Sequence, residues 1–202
     1  MRPSLALCLL VCGLVLAVAQ PAAAQTCASG TVTATYNADP AFPGMWKYCA
    51  EVSWSFDKYE VSHLTTFLRL PDCPCICDPR FIRFGDPAGH SVNTSSDPTC
   101  ELDYSGAYVC TGDPSLPDEY NGPAIKFLPE SDLGCEPGIS GYGTFCFYSP
   151  MPPQDPADDP QGLAIKHGQQ VCYGLLSGQM PSCDCALPTQ TTTWGTLKAS
   201  YR

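Results

Sequence analysis

The sequence predicts an all-β fold, a disulfide-rich antiparallel β-sandwich. Helical periodicity is nearly absent, and 21 prolines and 17 glycines cut the chain into short runs. Several of those runs alternate apolar and polar residues with period two, the pattern of a strand with one buried face. Fourteen cysteines in 202 residues supply the third observation.

The cysteines are read as disulfides because of how the chain begins. Arg2 is followed by an apolar run from about Leu5 to Val18, then by Gln20, Pro21 and the small residues Ala22, Ala23 and Ala24. This order is a secretory signal peptide over residues 1–24, with Gln25 the first mature residue. The run is short for a bilayer span, and no second one follows. A lipid-attachment reading is disfavoured: Val11 stands before Cys12 where a small residue is wanted, and polar residues precede Cys27. The mature chain of 178 residues is long enough for one domain with a real core. It keeps Cys27, Cys49, Cys73, Cys75, Cys77, Cys100, Cys110, Cys135, Cys146, Cys172, Cys183 and Cys185. An even, dense set in an exported chain is a disulfide framework, with about ten thousand pairings open.

Without its leader the chain carries 20 acidic and 9 basic residues, a net charge near −11. Such a surface repels nucleic acid and anionic membranes, and both are excluded as partners.

Strands are expected at residues 30–36, 46–56, 61–70, 80–84, 107–110, 124–128, 142–149, 163–166 and 170–176. The first closes on a turn at Asn37, Asp39 and Pro40. In the second, Tyr48, Ala50, Val52, Trp54 and Phe56 share a face, opposite Cys49, Glu51, Ser53 and Ser55. Phe145 and Phe147 likewise oppose Cys146, and Val171, Tyr173 and Leu175 oppose Cys172. Bridges are therefore expected on the outer surface, with Tyr48, Val52, Trp54, Phe56, Phe145 and Phe147 forming much of the core. Residues 91–106 and 149–162 read as loops without regular structure, the second an exposed excursion rich in proline and aspartate. The first holds a glycosylation sequon, Asn93-Thr94-Ser95. One sandwich domain is expected over residues 26–188, followed by a tail at 189–202. In the tail Trp194, Leu197 and Tyr201 share a helical face, which either docks on the domain or is read as an attachment signal.

The sharpest local features are Cys73-Pro-Cys75-Ile-Cys77 and Cys183-Asp-Cys185. Extended backbone points the three thiols of the first cluster the same way, so each takes a distant partner, and the two clusters are expected to be tied in part to each other. A thiolate metal or redox site is the minority reading in an oxidising compartment. His63, His90 and His167 have no zinc-ligand spacing. His63 reads as a partly buried strand histidine with a hydrogen-bond partner, His90 and His167 as loop residues. Gly138-Ile-Ser140-Gly-Tyr142 is rejected as a nucleophile elbow, because Tyr142 stands where glycine is required. Asp113, Asp118, Glu119, Asp155, Asp158 and Asp159 could offer oxygens to calcium but lack the D-x-D-x-D-G loop, so solvated acidic loops are the favoured reading. No catalytic, cofactor or metal residue is assigned.

Four segments, in order, resemble an immunoglobulin-like β-sandwich domain of bacterial secreted and cell-surface proteins. They are Ser62-His63 through Leu68, Leu70 and Pro71 to Cys73; Ile125-Lys126-Phe127; Gly143, Phe145 and Phe147; and Lys166, Gly168, Gly174, Gly178, Pro181-Ser182-Cys183. The resemblance spans about residues 46–185. It implies display or assembly at a cell surface, no catalytic residues, and a Cys73–Cys183 bridge.

The expected function is a secreted or cell-surface, non-catalytic binding or structural module whose partner is an extracellular protein or a glycan. The alternatives are a secreted hydrolase using carboxylates in an acidic groove, and a metal or redox protein using the Cys73-Cys75-Cys77 cluster.

Overall fold

The structure is a computed structural model describing residues 27–68, 87–96, 98–116, 122–130, 134–154 and 159–182. Every regular element among them is a strand: β1 (Ala28–Tyr36), β2 (Trp46–Ser55), β3 (Val61–Phe67), β4 (Ala88–Asn93), β5 (Cys100–Val109), β6 (Ala124–Pro129), β7 (Ser140–Ser149), β8 (Pro153–Gln154), β9 (Asp159–His167), β10 (Gln170–Gly178) and β11 (Met180–Pro181). The all-β, disulfide-bonded character matches the sequence. The architecture does not.

Neither a sandwich nor its immunoglobulin-like form is present. Nine strands close into one barrel in the order β1-β10-β9-β3-β6-β5-β4-β7-β2, and β8 pairs with β11 apart from it. Closure comes from β1. One edge runs antiparallel to β2, from Ala28 opposite Trp54 to Tyr36 opposite Trp46. The other runs parallel to β10, from Ser29 opposite Leu175 to Val32 opposite Gly178. Period-two alternation shows which side chains leave water, and a sandwich and a barrel satisfy it equally. A parallel pairing between the two ends of the strand series leaves no local signature. The seam is tight: a Cβ on Gly174 would lie 2.5 Å from the Ala28 carbonyl oxygen.

The lumen is filled. Val32, Tyr48, Leu64, Ile125, Phe127, Phe145, Leu163 and Ile165 are all essentially inaccessible, and each such large side chain gains about 1.5–3 kcal/mol from burial. Phe145 meets Tyr104 and Phe127 edge-on at 5.1 and 5.2 Å, while Tyr48 stacks on Phe147 at 5.1 Å. All six residues expected in the core are buried there. Thr31, Thr33, Glu51, Ser53 and Thr144 alternate outward into water. Polar outside and apolar inside is the reverse of a lipid-facing barrel. No helix among the described residues is long and apolar enough to cross a membrane.

Three disulfides join pairs of described residues along the wall. Cys49 and Cys146 face each other across β2 and β7 on the outer surface, as the alternation predicts. Cys27–Cys172 crosses the β1–β10 seam, and Cys100–Cys135 ties the start of β5 to the approach to β7. Contrary to the expected outer placement, Cys172 and Cys135 are buried against the core, and Val171, Tyr173 and Leu175 take the other face of β10. Cys110 is also disulfide-bonded. Cys73, Cys75, Cys77, Cys183 and Cys185, the signal peptide and the 189–202 tail lie outside the described residues, as does the expected strand at 80–84.

The two expected loops are corrected in part. Residues 91–106 hold the end of β4 and most of β5, and the 149–162 stretch contains β8 and the start of β9. Their sequences look loop-like because β4 turns Ser91 and Asn93 inward, and β5 turns Glu101 and Asp103 outward. Inward polar residues on one strand and outward acids on its neighbour leave little apolar signal.

Candidate functional site

A polar cluster lies on the outer face of β3, β6 and β9. Lys126 is paired in register with Thr65, and Lys166 with His63, so four polar side chains share that face. The segment between β5 and β6 folds over them. Its Leu116 packs with Phe67, Ala124 and Ala164 in a small second core, and its Asp113 and Ser115 reach the cluster. Asp113-Pro114-Ser115 forms a side-chain-stabilised turn in which Asp113 Oδ1 accepts from the Ser115 amide at 2.9 Å. The Ser115 hydroxyl donates to the same oxygen at 2.6 Å. Lys126 Nζ lies 2.9 Å from Asp113 Oδ2, and Lys166 Nζ donates to the Ser115 carbonyl at 3.2 Å.

His63 Nε2 is 3.2 Å from Asp113 Oδ2 and 3.1 Å from Ser115 Oγ. Burial is the largest influence on His63 and depresses its pKa. Lys126 and Lys166 act the same way against the pull of Asp113, leaving it at about 4. Burial alone would raise Asp113. The Ser115 hydroxyl and Lys126, together with the Ser115 amide, outweigh it and hold the carboxyl at about 2. Near neutrality the cluster is thus an aspartate, two lysines and a neutral histidine.

Serine, histidine and aspartate in contact suggest a nucleophilic triad, and the geometry excludes one. In a triad the carboxylate holds one ring nitrogen while the other takes the hydroxyl proton. Here one nitrogen meets both partners. The Ser115 hydroxyl gives its hydrogen to Asp113 Oδ1, and the His63 nitrogen beside it is the one that also faces Asp113 Oδ2, so the carboxylate does not hold the far side of the ring as a triad requires. His63 and Asp113 are 5% and 1% exposed, so their contact is shut off from water, while Ser115 at its edge is half-buried.

A second constellation sits at the barrel mouth where β2 ends and β9 turns into β10. Ser55, Phe56, Asp57, Lys58, His167 and Gln170 line a pocket of about 550 Å³. His167, buried, lies flat on Phe56, with ring centroids 4.2 Å apart and planes 8° apart. Its Nδ1 is 3.0 Å from the Lys58 carbonyl oxygen. That oxygen only accepts, so Nδ1 carries a hydrogen, and in the tautomer this fixes Nε2 is the acceptor. Beside Lys58, Tyr59 adopts φ +63° and is 56% exposed. It packs on Gly168 of the two-residue β9–β10 turn, where a Cβ would lie 2.9 Å from the Tyr59 ring.

The residues singled out from sequence are distributed as follows. His63 is the buried strand histidine expected, with Ser115 and Asp113 as partners. His90 and His167 lie in β4 and β9 and not in loops. His90 is exposed between Asp103, at 2.8 Å, and Glu101, at 3.5 Å. Asp113 is no solvated loop residue; Asp118, Glu119, Asp155 and Asp158 lie outside the described residues. Among the described residues, no three histidine, cysteine or acidic side chains are grouped to hold a metal. Asn93 is 4% exposed: its Nδ2 donates to the Glu136 carbonyl at 2.7 Å, and its Oδ1 accepts from the Ser95 amide and hydroxyl at 2.8 and 2.7 Å. Sequence reasoning passed over Ser115, Lys126, Lys166 and Tyr59 as functional candidates. Asp-Pro-Ser was a readable turn, but nothing local says which face it covers.

No family model matches the chain, and no curated protein or solved structure matches it. Function is therefore read from the barrel's own chemistry.

Proposed function

We propose that this chain is a secreted or cell-surface binding or structural module, non-catalytic, with its shape held by disulfides. The observation that carries the reading is the His63–Asp113–Ser115 network. The one serine–histidine–carboxylate contact among the described residues commits its hydroxyl to the carboxylate and meets both partners through a single ring nitrogen, with the histidine and the aspartate buried. Three disulfides fit an exported chain. The polar exterior and acidic charge favour solubility in that setting.

The test assays the exported protein against chromogenic esters and glycosides beside Ser115→Ala and Asp113→Asn, with free thiols titrated in parallel. Absence of turnover and of free thiols supports the module. Turnover lost in Ser115→Ala would replace it with a hydrolase, and free thiols at Cys73, Cys75, Cys77, Cys183 or Cys185 with a metal or redox protein.

A further inference from the structure

The mouth pocket carries chemistry that the folded scaffold does not use. We propose that it binds a neutral saccharide, with His167 Nε2 and the Asp57 carboxylate accepting from sugar hydroxyls and the exposed Tyr59 ring lying under a sugar face. This rests on the binding-module reading and names its ligand class.

Four observations converge. The volume, about 550 Å³, falls within the roughly 300–1,000 Å³ of small-molecule sites, and barrel mouths are a usual place for them. The His167 ring is locked: Phe56 fixes its plane and the Lys58 carbonyl fixes its tautomer, so the acceptor on Nε2 is preorganised. Ser55 and Gln170 add groups that both donate and accept, and Lys58 adds a donor. Tyr59 is held in a left-handed backbone conformation that a bulky residue rarely adopts. Its ring covers Gly168 and is otherwise exposed, next in sequence to Lys58 of the pocket lining, so core packing does not account for it. Strain of this kind collects at ligand clamps.

The charge pattern selects the ligand class. Asp57, and the acidity of the whole chain, repel anionic ligands. Lys58 at the same pocket repels cationic ones. What remains is a neutral molecule with many hydroxyls that both give and take hydrogen bonds, and with a C–H face for an aromatic ring. A pyranose has both.

Saturation-transfer NMR on the full exported protein, with cellobiose, maltose, lactose and N,N′-diacetylchitobiose as probes, tests this. At least one sugar should bind saturably, and its affinity should fall roughly tenfold or more in His167→Phe and in Asp57→Asn. His167→Phe keeps a ring on Phe56; Asp57→Asn changes an exposed residue and guards against misfolding. Tyr142→Ala, on the exposed wall of β7, should leave affinity unchanged. Saturation by none of the four sugars, or equal affinity in both pocket variants, overturns the proposal. A peptide bound elsewhere, with the sugars silent, overturns the saccharide site and leaves the module standing. Turnover by the exported protein that Ser115→Ala abolishes removes the non-catalytic reading, while the sugar titration still decides the pocket.

Discussion

Lys126 Nζ stands 2.9 Å from a carboxylate oxygen of Asp113, a side chain with no exposed surface that His63 and Ser115 also hold. Removing the carboxylate leaves a mostly buried ammonium without its counter-ion and a histidine without its partner. Asp113→Asn should therefore cost about 3 kcal/mol in urea unfolding. The Asp113→Asn, Lys126→Met pair should cost less than the two changes summed, because both act on one interaction. Additive costs would mean that the contact is idle.

The same cluster makes stability depend on pH. His63 has a folded pKa of about 4, below its ordinary 6.5. The unfolded chain therefore takes up the proton first, and about 3 kcal/mol is lost as pH falls from 6.5 to 4. Asp113, at about 2 against 3.8, adds stability that is complete above 3.8 and drains away toward 2, about 2 kcal/mol in all. The two steps belong to the cluster as a coupled unit. His63→Gln should flatten the upper limb of a urea-midpoint profile and keep the lower one; an unchanged profile would assign the upper limb elsewhere.

The Cys27–Cys172 bridge crosses a seam whose parallel register covers four residue pairs. Replacing both cysteines with alanine should cost about 2–5 kcal/mol. Hydrogen exchange should quicken at residues 29–32 before it does in β7. Uniform quickening would show that the seam and wall open together.

The expected strand positions within the described residues, and the apolar face of β2, survive in the structure because burial on one side of a strand is written in consecutive residues. Closure is not written that way: Ser29 and Leu175 meet across nearly the whole described chain. His63 was legible as a buried histidine. Its partners were not, because Asp113 and Ser115 arrive on a connection whose path depends on Leu116 finding Phe67 and Ala164. The His167–Phe56 stack joins the end of β9 to the end of β2, and a histidine before glycine looks like any turn.

Asn93 carries a sequon that the fold has already spent. Its Nδ2, where a glycan would attach, is buried and bonded to the Glu136 carbonyl. In a glycosylating host, protein with native disulfides should carry no glycan at Asn93 by peptide mass mapping. Asn93→Ala should cost about 1–3 kcal/mol through the donors and acceptor left unpaired. An occupied site in natively bridged protein would mean that this corner of the barrel forms differently.

The parallel seam also sets a timetable. β1 is made first and can pair with β2 soon afterwards, but its other edge stays open until β10 has been synthesised. An unpaired edge is a template for wrong partners, and topologies dominated by distant pairings fold slowly. The ring therefore cannot lock around itself until almost all of its strands have been made.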